Sequence, residues 1–287
     1  LLLLGANLVR AETVHSLGFD LSSYDDVVVG QNENFDLETR QYGLSWRLLP
    51  ETGPVSGASL WWSDASREWD RPASLQREQL GGQLSVSHTL GASEYSLGLF
   101  LSGHEMETLL AIPVCTGPCL EQVRSWSLAL QLQRGWSVQA LTLTPSAGVI
   151  YLQERRKQTQ QIAQVLNSTF SERAEGWSLE LGLALGYDYE LSDSWIFSPY
   201  LDLNWSEPLD LSSSGTRSDQ LVGRVGNPGR SRSIRYGAVY EDYLSGAAGL
   251  SWMWRDWLFD LSWSAIIHPS HDTDPGPQLR AGLTWTH

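Results

Sequence analysis

In this chain the apolar residues fall on every second position, in runs of ten residues or more. Trp126, Leu128, Leu130 and Leu132 alternate with Ser127, Ala129 and Gln131. Trp177, Leu179, Leu181, Leu183, Leu185, Tyr187 and Tyr189 alternate with Ser178, Glu180, Gly182, Ala184, Gly186 and Asp188. A period of two is the mark of an extended strand, whose successive side chains point to opposite faces; a helix of period 3.6 would scatter the same residues around its axis. The pattern recurs at Leu17–Leu21, Tyr42–Leu48, Ala58–Trp62, Leu80–Leu90, Tyr95–Leu101, Leu141–Tyr151, Trp195–Trp205, Leu244–Trp254, Trp257–Ile267 and Leu279–His287, which predicts twelve strands. No stretch reaches the 18 apolar residues that a membrane helix needs.

The connections between these strands alternate in length. Joins near 50–54, 91–93, 139–140, 191–194 and 255–256 are short, whereas those near 23–35, 64–78, 103–121, 155–175, 207–239 and 268–277 are long. Short turns on one side and long loops on the other are the asymmetry of outer-membrane barrels. The 14 Trp fit that setting, because an indole prefers the membrane interface. Trp136, Trp195, Trp252, Trp254 and Trp257 are expected in the girdle at the short-turn side, and Trp62, Trp126, Trp177, Trp205 and Trp263 in the outer one. About ten residues at ~3.3 Å each, tilted by about 40°, separate the two girdles by about 25 Å, the height of a lipid-facing band. The expected fold is therefore all-β: a 12-stranded antiparallel transmembrane β-barrel, both termini periplasmic, in the bacterial outer membrane of a Gram-negative cell. A soluble sandwich is the alternative fold, but it gives no reason for Trp in register at both strand ends.

The ends agree. Residues 1–11 read as a signal-peptide remnant with small residues at Val9 and Ala11, so the barrel is expected to occupy residues 12–287. Composition excludes other classes. A net charge of −14, without a Lys/Arg-rich run, argues against nucleic acid as a partner, and two Cys cannot form a disulfide framework.

Alternation assigns the interior. Lumen or pore-lining candidates are Asp20, Arg47, Glu180, Asp188, Asp202, Asn204, Asp260 and Arg280. Two readings of these residues stay open: a weakly selective pore for small solutes, or a wall in which Arg47 and Arg280 neutralise acidic neighbours. Loops one, three and six are acidic and loops four and five basic, which predicts a transverse dipole at the mouth. Arg217, Arg224, Arg230, Arg232 and Arg235 of loop five are candidates for contact with lipopolysaccharide phosphates or another partner, since guanidinium matches phosphate geometry. In loop three, Cys115 and Cys119 bracket Gly117-Pro118, and a local disulfide is expected in an oxidising periplasm. Ile162, Val165, Leu166 and Phe170 fall at helical spacing, which predicts a short amphipathic helix over the mouth.

Catalysis has weaker support. Outer-membrane lipid-modifying enzymes use a His with a nearby Ser, and Ser87-His88 is the nearest adjacency, on the short-turn side. His104, Glu105, His268, His271 and Asp272 lie near the outer mouth and could form a metal or acid/base cluster, but no nucleophile has a matched base. The expectation is no enzyme, no metal and no cofactor.

A hairpin repeats within the chain. Trp126-Ser-Leu-Ala-Leu-Gln-Leu-Gln-Arg-Gly-Trp136 corresponds to Trp177-Ser-Leu-Glu-Leu-Gly-Leu-Ala-Leu-Gly-Tyr187. The return strands read Thr144-Pro-Ser-Ala-Gly-Val-Ile-Tyr151 and Ser198-Pro-Tyr-Leu-Asp-Leu-Asn-Trp205. Over about residues 120–287 these hairpins resemble the autotransporter β-domain, a twelve-stranded outer-membrane barrel. The last strand likewise resembles the segment by which the outer-membrane assembly machinery recognises its substrates, with His287 where Phe is usual. The resemblance implies a translocator. Because strand one starts close to Glu12, a stand-alone barrel without passenger is expected. The expected function is a channel or translocator for small or extended substrates, embedded in lipid bilayer and lipopolysaccharide. A plugged barrel that presents its loops or periplasmic rim to a protein partner is the alternative, and a lipid-modifying enzyme is the third reading.

Overall fold

The computed structural model of the chain describes residues 13–29, 34–50, 53–68, 74–90, 95–111, 119–162, 166–192, 195–221, 230–234, 242–268 and 277–286. Twelve long strands build the wall. They are β1 (Val14–Val29), β2 (Asn34–Leu49), β3 (Val55–Glu68), β4 (Ser74–Thr89), β5 (Tyr95–Ala111) and β6 (Cys119–Arg134). The second half comprises β7 (Leu141–Ile162), β8 (Leu166–Tyr187), β9 (Trp195–Leu221), β10 (Tyr243–Trp254), β11 (Trp257–His268) and β12 (Gln278–Thr286). Trp136–Val138 continues β6 along β7, Tyr189–Ser192 continues β8 along β9, and Arg230–Ile234 pairs with the far part of β9.

Each strand pairs antiparallel with the next. β12 returns to β1 from Ser16↔Thr286 to Tyr24↔Gln278, so the sheet closes on itself. Closure matters because no water is available in a membrane to satisfy a free strand edge. The alternation decides which face meets lipid. Leu44, Leu60, Leu80 and Leu84 point outward and are 63%, 64%, 60% and 59% exposed, one site among many in a continuous apolar belt. Such a belt would be a large aggregation-prone patch in water and is the correct surface in lipid.

Aromatic residues border the belt. At the short-turn rim Trp195 stacks on Trp254 at 5.9 Å, Trp252 on Phe259 at 5.4 Å, and Trp257 lies 6.4 Å from Trp285. At the other border Trp126, Tyr151 and Trp177 form a row with centroids 5.2 and 5.1 Å apart, and Tyr42 stacks on Trp62 at 5.4 Å. Two rim turns are tight enough to force a left-handed backbone on ordinary residues, with φ of 57° at Gln139 and 55° at Arg255.

Five of the six long connections differ from expectation, because most of each is strand; of the sixth, 268–277, only His268 is strand among the described residues. β7 and β8 have 22 residues each and β9 has 27, about twice what a bilayer requires. The helix expected over Ile162, Val165, Leu166 and Phe170 is not formed: Ile162 faces Leu166 across a hairpin, and Phe170 pairs with Gln158 and Arg217 on neighbouring strands. Val165 lies outside the described residues. Strand pairing of neighbours overrode a weak helical spacing, since each extended residue adds two ladder bonds that an isolated helical turn would lack.

Beyond the Trp126 row the pattern inverts. Leu37 and Leu75 on the inward face are 1% exposed and Val123 is 2% exposed; Ala65 and Ala174 are also buried. The outward residues there are polar, among them Gln122, Arg124, Arg155 and Arg173. β9 keeps in step by a bulge: Pro208 faces Ser178, Asp210 faces Trp177, and Leu209 is the extra residue. Bulges are where a strand tolerates Pro and shifts its facing.

Candidate functional site

The membrane-level interior is the candidate site, because it gathers the ionisable and hydroxylic side chains that the apolar outer wall lacks. Asp20, at an inward position of β1, lies between Gly43 and Gly282. Arg280, also inward on β12, reaches it with Nη2 at 2.7 Å and Nε at 3.2 Å from Oδ1. The pair crosses the seam where the last strand meets the first. Asp260 on β11 faces Gly282 from the other side and accepts a hydrogen bond from the Tyr200 hydroxyl at 3.2 Å. Its other oxygen is buried without a partner among the described residues. Thus Asp20, Arg280, Asp260 and Tyr200 form one polar belt across β9, β11, β12 and β1.

Near the short-turn rim, Asp188 accepts a hydrogen bond from the Ser198 hydroxyl at 2.5 Å. It lines a cavity of about 180 Å³ together with Thr142, Thr144, Tyr200 and Asp202. Glu180 faces Gly148 and borders, with Gln83 and Gln131, a second space of about 270 Å³. Asn204 sits opposite Gly182 and Ser245. Arg47 faces Ser16 and Gly57 and has no carboxylate partner among the described residues, unlike Arg280. Charge neutralisation across the wall therefore describes Arg280 but not Arg47.

Some inward residues were missed by the sequence reading. Tyr200 folds over Gly249, and Trp61 over Gly81; a Cβ on either glycine would collide with the ring. Small residues beneath tilted aromatics let a curved wall carry rings inside. The signal was present: Trp61 and Trp62 are consecutive, so only one can face lipid, and Tyr200 shares its parity with Asp202 and Asn204.

The outer cluster does not assemble as expected. His104 and Glu105 are adjacent on β5 and so face opposite sides of the wall. His104 Nδ1 lies 2.7 Å from the Ser125 hydroxyl on the inner side, and Glu105 accepts from Arg124 at 2.7 Å on the outer. The end of β11 carries His268, while His271 and Asp272 lie outside the described residues. In loop five, Arg217 pairs in register with Arg232, and Asp219 with Arg230; Arg224 and Arg235 lie outside the described residues. Cys119 is buried at the start of β6 and is not a free thiol, and Cys115 lies outside the described residues, as do residues 1–12 and His287.

Comparison with known proteins agrees with this geometry. Residues 122–262 match the family model of the autotransporter beta-domain. The β-domain of the Bordetella autotransporter BrkA superposes with a TM-score of 0.62 at 13% identity, covering 96% of this chain and 99% of that one. The translocator domain of the autotransporter NalP from Neisseria meningitidis gives 0.59 at 12% identity, covering 97% and 90%. No curated protein matches the sequence. At such identities the superpositions speak for the fold, and the family match adds the sequence. The chain is thus a closed, twelve-stranded antiparallel β-barrel of the Gram-negative outer membrane that resembles the autotransporter β-domain.

Proposed function

We propose that the barrel is a translocator whose membrane-level interior is a polar conduit for small or extended substrates. In this reading the long hairpins face the outside and the short-turn rim and both termini face the periplasm, as the loop asymmetry of such barrels implies. One observation carries it. Around the open spaces at membrane level the inward residues include Thr142, Thr144, Asp188, Ser198, Tyr200 and Asp202 in one and Gln83, Gln131 and Glu180 in the other, interleaved with Ile196, Met253, Leu258, Phe100 and Ile150, whereas beyond the Trp126 row Leu37, Leu75 and Val123 are sealed from solvent. A polar interior is useful only if something polar enters it, and the packed outer section then acts as its closed end.

Asp20, Arg47, Glu180, Asp188, Asp202, Asn204, Asp260 and Arg280 line the conduit in this proposal. Arg217, Arg230 and Arg232 contact lipopolysaccharide, with the register of Arg217 on Arg232 supplying the local positive charge. A Cys115–Cys119 bridge ties the tip between β5 and β6, and alkylation with and without prior reduction tests it. Single-channel recording in planar bilayers tests the conduit. Wild-type protein gives a low or intermittent current, and the double variant Leu37→Asp/Leu75→Asp gives a sustained one. Silence in both, with the variant still folded, sinks the conduit. That outcome favours the second reading, a plugged barrel that offers its long hairpins or rim to a protein partner, for which the buried outer section is the supporting observation.

A further inference from the structure

The outer wall carries a basic cleft that the conduit does not use. On three neighbouring strands, Arg124 of β6 stands directly opposite Arg155 of β7, and Arg155 directly opposite Arg173 of β8. All three side chains are on the lipid side of the wall, in phase with Trp126, Tyr151 and Trp177. Lys157 follows one outward position further along β7. Together with Gln122 and Thr216 they border an open cleft of about 600 Å³.

Its height is set by the register. Trp126 faces Gln153, and Gln153 faces Glu175, so Arg124 lies two residues beyond Trp126, about 6 Å along the strand, whereas Arg155 and Arg173 lie four residues beyond Tyr151 and Trp177, about 13 Å along theirs. Trp126 Nε1 donates to Gln153 at 2.8 Å, and Gln153 donates to Glu175 at 3.1 Å, which makes this line the polar upper edge of the girdle. Lipid headgroups lie just beyond the aromatic belt of a membrane protein, and in the orientation proposed above those would be headgroups of the outer leaflet.

Like charges directly opposite one another in a sheet are unfavourable. Arg124 is offset by Glu105 at 2.7 Å and Arg173 by Glu175 at 2.6 Å, one at each flank. Glu107 lies one outward position further along β5, opposite Gln122, Asp210 on β9 faces Trp177 at the girdle, and Glu172 also borders the cleft. The central Arg155 and Lys157 have no carboxylate partner among the described residues. Three guanidinium groups in a row, with the middle one uncompensated, fit a multiply charged phosphate that accepts forked hydrogen bonds.

We propose that Arg124, Arg155, Arg173 and Lys157 form a binding site on the outer wall for the phosphorylated headgroup of lipopolysaccharide. It is distinct from the Arg217 set and rests on the outward orientation of the long hairpins proposed above. Lipopolysaccharide retained by the detergent-purified barrel is measured by native mass spectrometry, for wild type, Arg155→Gln/Lys157→Gln and Arg217→Gln/Arg232→Gln. The first variant retains about tenfold less, and wild type loses the same factor with dephosphorylated lipopolysaccharide. Binding of inorganic phosphate alone with equal affinity would reassign the cleft to a free anion and overturn the lipid site, as would equal retention of the dephosphorylated lipid. Undiminished retention by Arg155→Gln/Lys157→Gln also overturns it. A membrane-impermeant thiol reagent separates the two readings: surface labelling of Lys157→Cys in intact cells supports the orientation, and labelling only in opened cells overturns orientation and lipid site together.

Discussion

The strands of this barrel run through two regions that differ in one respect. In the membrane section of β6, Leu128, Leu130 and Leu132 face out and Ser127, Ala129 and Gln131 face in. In the outer section of the same strand, Gln122 and Arg124 face out, and Cys119, Val123 and Ser125 are buried within. β8 repeats the inversion, from Leu179–Leu185 outside to Ala174 inside. The backbone, the ladder and the period are shared. What changes at the Trp126 row is the surroundings: lipid outside the wall below it, and above it a polar outer face with Leu37, Leu75 and Val123 buried within. A strand has no intrinsic inside face, and its surroundings assign one.

The largest test of that contrast places charge in the belt. Leu130→Arg is expected to cost about 2–4 kcal/mol in reversible unfolding from lipid vesicles. Arg124→Leu, three pairs of residues up the same strand, stays within about 0.5 kcal/mol; equal costs would dissolve the distinction. Leu75→Ala acts on the other side of it and is expected to cost ~2 kcal/mol. Hydrogen exchange should show that loss in the outer halves of β3 and β4 while the membrane halves stay protected, and uniform acceleration would mean the two sections are one cooperative unit.

At the rim, Arg255→Gly relieves a left-handed backbone and is expected to stabilise by about 1 kcal/mol in the same unfolding assay, less whatever the Arg255 guanidinium gains 5.4 Å from the Trp254 ring. The seam pair is smaller. Asp20 and Arg280 are 28% and 47% exposed to the interior, so a double-mutant cycle with Asp20→Asn and Arg280→Gln should return about 0.5 kcal/mol.

The weakest effect is a titration just beyond the girdle. Hydrogen bonds from Gln153, then from Arg173, hold the Glu175 carboxyl below its ordinary range. A depressed carboxylate contributes above its unfolded pKa, and the contribution is lost as pH falls through the lower folded value. Carboxyl NMR should therefore find Glu175 still ionised where ordinary glutamates have protonated, and Arg173→Gln should move it back toward them.

Much of the inward face was legible because parity is local. Once Leu17, Phe19 and Leu21 face lipid, Asp20 must face in, whatever the partners are. The same rule would have found Tyr200 and Trp61, had aromatics not been read as girdle by default. It would also have separated His104 from Glu105, which spacing along the chain had grouped together. The long loops were misread for a different reason. Apolar residues facing out mark a membrane strand, and at Gln122-Val123-Arg124 the alternation continues with its phase reversed, so that these strands resemble loops.

The sequence by itself determined twelve membrane strands, the two aromatic borders and the side that carries short turns, since period two and turn length are properties of neighbouring residues. Only the tertiary structure decided that the hairpins continue past the membrane, that Arg280 meets Asp20 and leaves Arg47 alone, and that three arginines far apart in the chain stand side by side. Those facts depend on strand register and on closure of the first strand against the last, and register is fixed by contacts between residues that no local pattern relates.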